Sequence, residues 1–201
     1  LIHPRDIQPQ TEYALDQFVL RGGKLVAFVD LYMYFDQGPT MPGMPPQPSS
    51  SALPTLFKAW GLGMSRDKVI ADVVFGSGGG QRYTPTVLSL NRTAFNRDDV
   101  VTSQIETLLY AFGGAFEVKL PDSLRATELV RSSPDSMLVD SANATKSGDE
   151  ATKAFKPSGN AMPLALRLTG RFKTAFPEGL KDGEKPVPNT PALKESASEN
   201  S

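Results

Sequence analysis

Tyr13 to Asp30, YALDQFVLRGGKLVAFVD, is the stretch whose reading decides the fold class. Leu15, Phe18 and Val19 fall on one face of a helix, and Gly22-Gly23 supplies a left-handed stop. Leu25 to Val29 is a short unbroken apolar run, the pattern of a strand covered on both faces. Asp30 stands where that strand would end, and Leu1-Ile2 reads as the tail of an earlier strand. Strand, helix and strand in this order make a β-α-β unit. The expectation is therefore an α/β fold, a Rossmann-like or flavodoxin-like three-layer sandwich with a mostly parallel sheet.

Beyond Asp30 the apolar segment LYMYF runs into residues 37–52, which are rich in Pro, Gly, Met and Ser. Such a segment holds no regular element and reads as a long loop leaving a strand end. Leu53 to Trp60 predicts a short helix, with Pro54 in its first turn and Gly61 and Gly63 beyond its end. Val69 to Phe75 predicts a strand, closed by a flexible Gly76 to Gly80. Thr86 to Leu90, Thr127 to Arg131, Met137 to Val139 and Leu164 to Leu168 are further strand candidates. Ile105 to Phe112 is readable either way, and its flanking glycines favour a strand. Asp140 to Pro157 is polar and reads as a loop. Residues 1–177 are expected to form one domain. Residues 178–201 carry almost no apolar side chains, the composition of a disordered tail or linker.

The chain has 201 residues, enough for one domain with its own core. Its 21 basic and 22 acidic residues nearly cancel, to a formal charge of −1, which argues against a nucleic-acid partner. Cysteine is absent and His3 is the single histidine, so disulfides, thiolate chemistry and multi-histidine metal sites are excluded. No apolar run approaches the roughly 20 residues that span a bilayer. Opening in the middle of a strand, the chain reads as a piece of a longer protein.

Several chemical motifs fail on spacing. The dinucleotide fingerprint needs a glycine three residues after Gly78, where Gln81 stands, and Gly23-Lys24 is followed by Leu25 rather than Ser or Thr. Ser65-x-x-Lys68, Ser141-x-Asn143 and Lys146-Ser147-Gly148 follow the order of penicillin-binding enzymes, yet the last two lie almost adjacent. A Ser-His-acid triad would need His3, which precedes Pro4. Asp98-Asp99 with Asn96 reads as a solvated turn, since the spacing of a calcium loop is missing. No catalytic residue, metal ligand or cofactor is expected. Arg167, Arg171 and Lys173 alternate with apolar residues, as in a half-exposed edge strand. Asp30 at a strand end is the best polar candidate for a site, against the alternative of a turn cap. With it go Tyr32, Met33, Tyr34, Phe35, Asp36, Met41 and Met44, either partly buried over the core or forming an adaptable partner surface. A small-molecule crevice around Asp30, Tyr32 and residues 76–80, taking a sugar or peptide, is the alternative.

HPRDIQPQTEYALDQFVLRGGKLVAFVD resembles the extracytoplasmic domain of the auxiliary component of gliding-motility-type ABC transport systems. LFKAWGLGMSRDKVIADVVFG, ELVRSSPDS and LALRLTGRFKTAFPEG follow in the same order. The resemblance implies a Rossmann-like domain related to the glutamine-amidotransferase-like superfamily and to an intraflagellar-transport protein domain. Amidotransferase chemistry needs a Cys-His pair that this chain lacks, so a non-enzymatic role is expected. The resemblance further implies an ABC permease and its ATPase as partners. It also implies membrane anchoring through helices outside this stretch, and a position on the periplasmic, extracytoplasmic face of the inner membrane.

Overall fold

The computed structural model describes residues 1–37, 48–180 and 191–200. Helix α1 spans Pro9–Leu20, with proline in its first turn where a missing N–H costs nothing. Its buried face is only partly apolar: Glu12, Asp16 and Gln17 are buried with Val19 and Leu20, while Phe18 is exposed. Arg21 and Gly22 close it through N–H donation to the carbonyls of Gln17 and Val19. The following run, Leu25 to Val29, is not a strand buried on both faces. Leu25 and Ala27 pack inward, whereas Val26 and Phe28 are well exposed. The expected parallel pairing survives as one contact, Ile2 with Phe28, held by bonds from His3 N–H to Phe28 O (2.9 Å) and from Phe28 N–H to Leu1 O (3.0 Å).

The strands follow in chain order: β1 Asp30–Gln37, β2 Pro48–Ser51, β3 Leu62–Gly63, β4 Lys68–Asp72, β5 Gly76–Ser77, β6 Thr84–Asn91, β7 Thr107–Ala111, β8 Glu117–Val118, β9 Leu124–Arg131, β10 Ser136–Asp140 and β11 Pro163–Gly170. Helix α2, Pro54–Trp60, lies between β2 and β3, and α3, Gly148–Thr152, between β10 and β11. Gly61 ends α2 with φ of +72°, where a Cβ would stand 2.1 Å from the Lys119 carbonyl oxygen.

Among the described residues every ladder is antiparallel: β1 with β2, β4 with β10, β9 with β11, β3 with β8, and β5, β6 and β7 in that order. The expected mostly parallel, Rossmann-like or flavodoxin-like sandwich is therefore overturned. A parallel pair needs a crossover of about a dozen residues or more, usually a helix. Only α1 has that length; α2 has 7 residues and α3 has 5. Asp30 accordingly opens β1 rather than closing a strand. Gly76-Ser77 pairs with β6 instead of forming a loose turn.

Three apolar clusters hold these pieces. Ile70, Phe75, Leu88, Leu90, Phe95, Val130 and Leu164 form the first. Val19, Leu20, Leu53, Leu56, Trp60, Leu124 and Phe172 form the second, around α1 and α2. Val69, Phe112 and Ala144 form the third, and Tyr32 and Tyr34 of β1 pack on it. Adjacent residues of β4 point into different clusters, Val69 into the third and Ile70 into the first. An unbroken apolar run can thus be buried on both faces without any parallel neighbour. Each such side chain contributes about 1.5–3 kcal/mol. At the end of β4 the buried Asp72 accepts bonds from the N–H groups of Val74, Phe75 and Ser133 and from Ser133 Oγ. This ties the bend between β9 and β10 to β4.

Residues 191–200, expected within a disordered tail, lie against the body. Gln17 and Leu193 exchange two bonds, Gln17 Nε2 to Leu193 O (2.9 Å) and Leu193 N–H to Gln17 Oε1 (2.8 Å). Asn200 pairs through its backbone with Gly170 and donates from its side chain to Val19 O and Gly23 O. Composition gave no sign of this because the segment is held mainly by polar bonds, with Leu193 alone packing on the second cluster. No helix among the described residues is long and apolar enough to cross a membrane.

Candidate functional site

The residues singled out around Asp30 fall on the β1–β2 hairpin. Asp30 faces Ser51 and Met33 faces Ser49, with register breaks between them. The eight residues of β1 are thereby spread over the four of β2, and such bulges bend and twist a strand. The Asp30 N–H donates to Ser51 Oγ (2.8 Å), and Asp30 Oδ1 accepts from the Tyr32 N–H (2.9 Å). Burial pushes the Asp30 carboxyl above its ordinary range, against the Tyr32 bond and the nearby His3. Burial likewise raises Tyr32, with Tyr34 adding to it. Tyr110, which donates to Gly114 O (2.6 Å), is pushed up by burial and by the charge of Asp30.

Asp36 sits near the far end of β1. Its Oδ2 accepts from Ser49 Oγ (2.8 Å), contacts His3 Nε2 (3.1 Å) and pairs with Arg5 Nη1 (2.9 Å). The Ser49 bond first, then His3 and Arg5, hold its carboxyl below the usual range. His3 Nε2 also lies 3.1 Å from Ser49 Oγ. Ser, His and Asp therefore do meet, but not as a relay. A relay needs the acid and the serine on opposite ring nitrogens. Here both contact Nε2, and the serine proton goes directly to the carboxylate. The arrangement fastens the N-terminal segment to the hairpin.

The aromatic side of the hairpin rests on Phe112. Tyr34 lies 4.7 Å from its ring and Phe35 lies 5.8 Å from it, centroid to centroid. Phe112 has a φ of +56°, a left-handed conformation that costs a non-glycine residue about 1–3 kcal/mol. The rings of Tyr34 and Phe35 pack against its side chain. Phe35 remains 69 % exposed above this base. Met41 and Met44 lie outside the described residues.

Other candidates have structural partners. Asp99 takes a bidentate pair from Arg167 (2.6 and 2.8 Å) and a bond from the Val101 N–H (2.9 Å). The backbone bond, then Arg167, lower its pKa. No group of three or more metal-ligating side chains occurs among the described residues. One groove among the described residues lies between β4, β10 and residues 143–155, and none of Asp30, Tyr32 or residues 76–80 lines it. Sequence reasoning set His3 aside because it precedes Pro4, and passed over Arg5, Ser49 and Phe112. The pairing of β1 with β2 sets Ser49 near Asp36, the Ile2–Phe28 contact brings in the segment carrying His3 and Arg5, and no local spacing signals either.

The model of a family described as an ABC-type uncharacterized transport system matches residues 1–201. Neither the curated proteins nor the solved structures yield a significant match.

Proposed function

We propose, on the premise that the chain belongs to the auxiliary family of ABC-type uncharacterized transport systems, that it is a non-catalytic accessory domain acting outside the cytoplasm and docking on another protein of its system. Membership of that family implies association with transporter components. The finer reading is that the permease, with its ATPase, receives the β1–β2 hairpin. One observation carries it: Phe35 stands 69 % exposed on a strand whose two ends are pinned by hydrogen bonds. A large aromatic on a rigid mount is the kind of residue that dominates binding energy at interfaces. The strained Phe112 beneath it fits the same role, since backbone strain concentrates at binding sites.

The test is co-purification of the full-length parent protein from native membranes in mild detergent, with a crosslinked control. Replacement of residues 38–47 by a short Gly/Ser linker, and separately Phe35→Ser, should leave the domain folded. Each should reduce recovery of permease and ATPase. Undiminished recovery with both variants removes the hairpin from the interface. Recovery of the parent protein alone, even after crosslinking, counts against the accessory reading itself. A protease added to intact spheroplasts should digest the domain if it lies outside the cytoplasm; protection would overturn that placement.

A further inference from the structure

Three segments that the hairpin does not use, Ser65-x-x-Lys68, Ser141-x-Asn143 and Lys146-Ser147-Gly148, converge in the fold. Lys68, Asn143 and Lys146 line one groove of about 320 Å³ between β4, β10 and residues 143–155. Ser65 is not among the residues lining it, so the groove has no nucleophile in the position those motifs would demand. Its apolar lining includes Ala71, Met137, Val139, Ala151 and Phe155. Its charged lining consists of two cations and two anions. Lys68 faces Asp140 directly across the β4–β10 ladder and pairs with it. Lys146 pairs with Glu150 at 3.1 Å.

The wall formed by residues 141–155 is fastened to the body. The Ser141 N–H donates to Asp67 O (2.9 Å), Thr86 Oγ1 donates to Ala144 O, and the Gly148 N–H donates to Tyr83 O (2.7 Å). Gly148 has a φ of +58°, which glycine adopts without strain, and a Cβ there would stand 3.0 Å from the Gln81 Cα. The groove is preformed, and its volume lies at the low end of ligand sites, roughly 300–1,000 Å³.

We propose that this groove binds a short peptide with free termini, an apolar side chain lying over Met137 and Phe155. The charge pattern disfavours a ligand of net charge and offers a zwitterion a partner for each of its ends. A ligand of one sign would leave the balanced set of two cations and two anions with an excess. A zwitterion adds one charge of each sign, its carboxylate to a lysine and its ammonium to Asp140 or Glu150. Both ion pairs are largely exposed, with the Asp140 side chain at 61 % and that of Glu150 at 70 %. Exposed pairs contribute little by themselves and open readily to a ligand. The hairpin contributes no residue to the lining of this groove.

The probe is the dipeptide Ala-Phe, titrated into the 201-residue chain and followed by NMR chemical shifts. Its acetylated and amidated form serves as the uncharged control. The expected result is saturable binding at millimolar concentration, with shifts at residues 137–140 and 143–155 and roughly tenfold weaker binding of the capped form. Ala154→Trp, on the exposed rim, should abolish these shifts while leaving the circular dichroism spectrum and Tm unchanged. The double variant K146M/E150L should weaken the free dipeptide but not the capped one. No saturable shift, shifts confined to other residues, or equal binding of free and capped peptide would overturn the proposal. The comparison of free with capped peptide uses the native chain, so it stands even where a variant does not fold.

Discussion

Asp30 and Asp36 stand near the two ends of β1, and the fold shifts them in opposite directions. Asp30 is raised by burial. Its protonated form is favoured on folding, so its contribution to stability is present below its unfolded pKa of about 3.9 and is lost as pH rises through its higher folded value. Asp30→Asn keeps an acceptor for the Tyr32 N–H and carries no charge. The variant should have a higher Tm than the parent at neutral pH, and the gap should close once pH falls below about 3.9. Asp36 is lowered, first by Ser49 and then by His3 and Arg5. Its stabilisation is present above about 3.9 and is lost as pH falls through its lower folded value. Asp36→Asn should reduce Tm at neutral pH, with the deficit shrinking in strong acid. A thermal melt series across pH reads both, and parallel curves for parent and variants would refute the assignment. The sequence singled out Asp30 as a residue at a strand boundary. Its place at the start of a strand was not legible, because the exposed face of residues 25–29 gave no local sign of itself.

The boundaries of α2 were readable from Leu53, Pro54 and Gly61, but its N-terminal cap was not. Leu53 has no side-chain acceptor, and Glu12 of α1 supplies one from across the second cluster, accepting from the N–H groups of Thr55 (3.0 Å) and Leu56 (3.3 Å). A helix start needs such an acceptor for its free N–H groups. Glu12→Ala should therefore destabilise the protein by about 1–2 kcal/mol, read by urea denaturation, and Glu12→Gln by less. An unchanged midpoint for Glu12→Ala would show that water satisfies these groups equally well. The two buried carboxylates of α1, Glu12 and Asp16, lie one turn apart on the face that also carries Val19 and Leu20. Asp16 accepts from Thr174 Oγ1 (2.7 Å) and the Ala175 N–H (2.9 Å). An acidic pair on an apolar face was the available signal for these inter-element bonds, and amphipathic counting alone passes over it.

Across the whole molecule, residues 191–200 close the second cluster from outside. They connect α1, through Gln17 and Val19, to the segment after β11, where Phe172 and Ser196 exchange bonds and Thr174 donates to Lys194 O. Ending the chain at residue 190 should lower Tm on the order of 10 °C, since several hydrogen bonds of about 1 kcal/mol each are lost in a domain of this size. Asn200→Ala alone should produce a smaller part of that loss. A truncated chain melting with the parent would show that this segment rests on the body without stabilising it.

The sequence by itself located many of the elements: α1, α2, β4, β6, β7, β9, β10 and β11 fall on segments read from periodicity, glycine stops and proline starts, whereas β2 and α3 lie in segments read as loops and residues 25–29, read as a strand, form none. It also determined that no thiol chemistry is available, and its similarity to a transport-system family placed the chain among auxiliary components. These properties are local or compositional, and local residues carry them. Strand direction and the convergence of distant side chains were decided only by the tertiary structure. A buried strand such as β4 has the same apolar run whether its neighbour is parallel or antiparallel, because the run reports burial and not hydrogen-bond polarity. His3 meets Asp36 and Ser49, Lys68 meets Asp140, and Gln17 meets Leu193 only after the chain has closed, since each pairing is written in two places that no spacing rule connects.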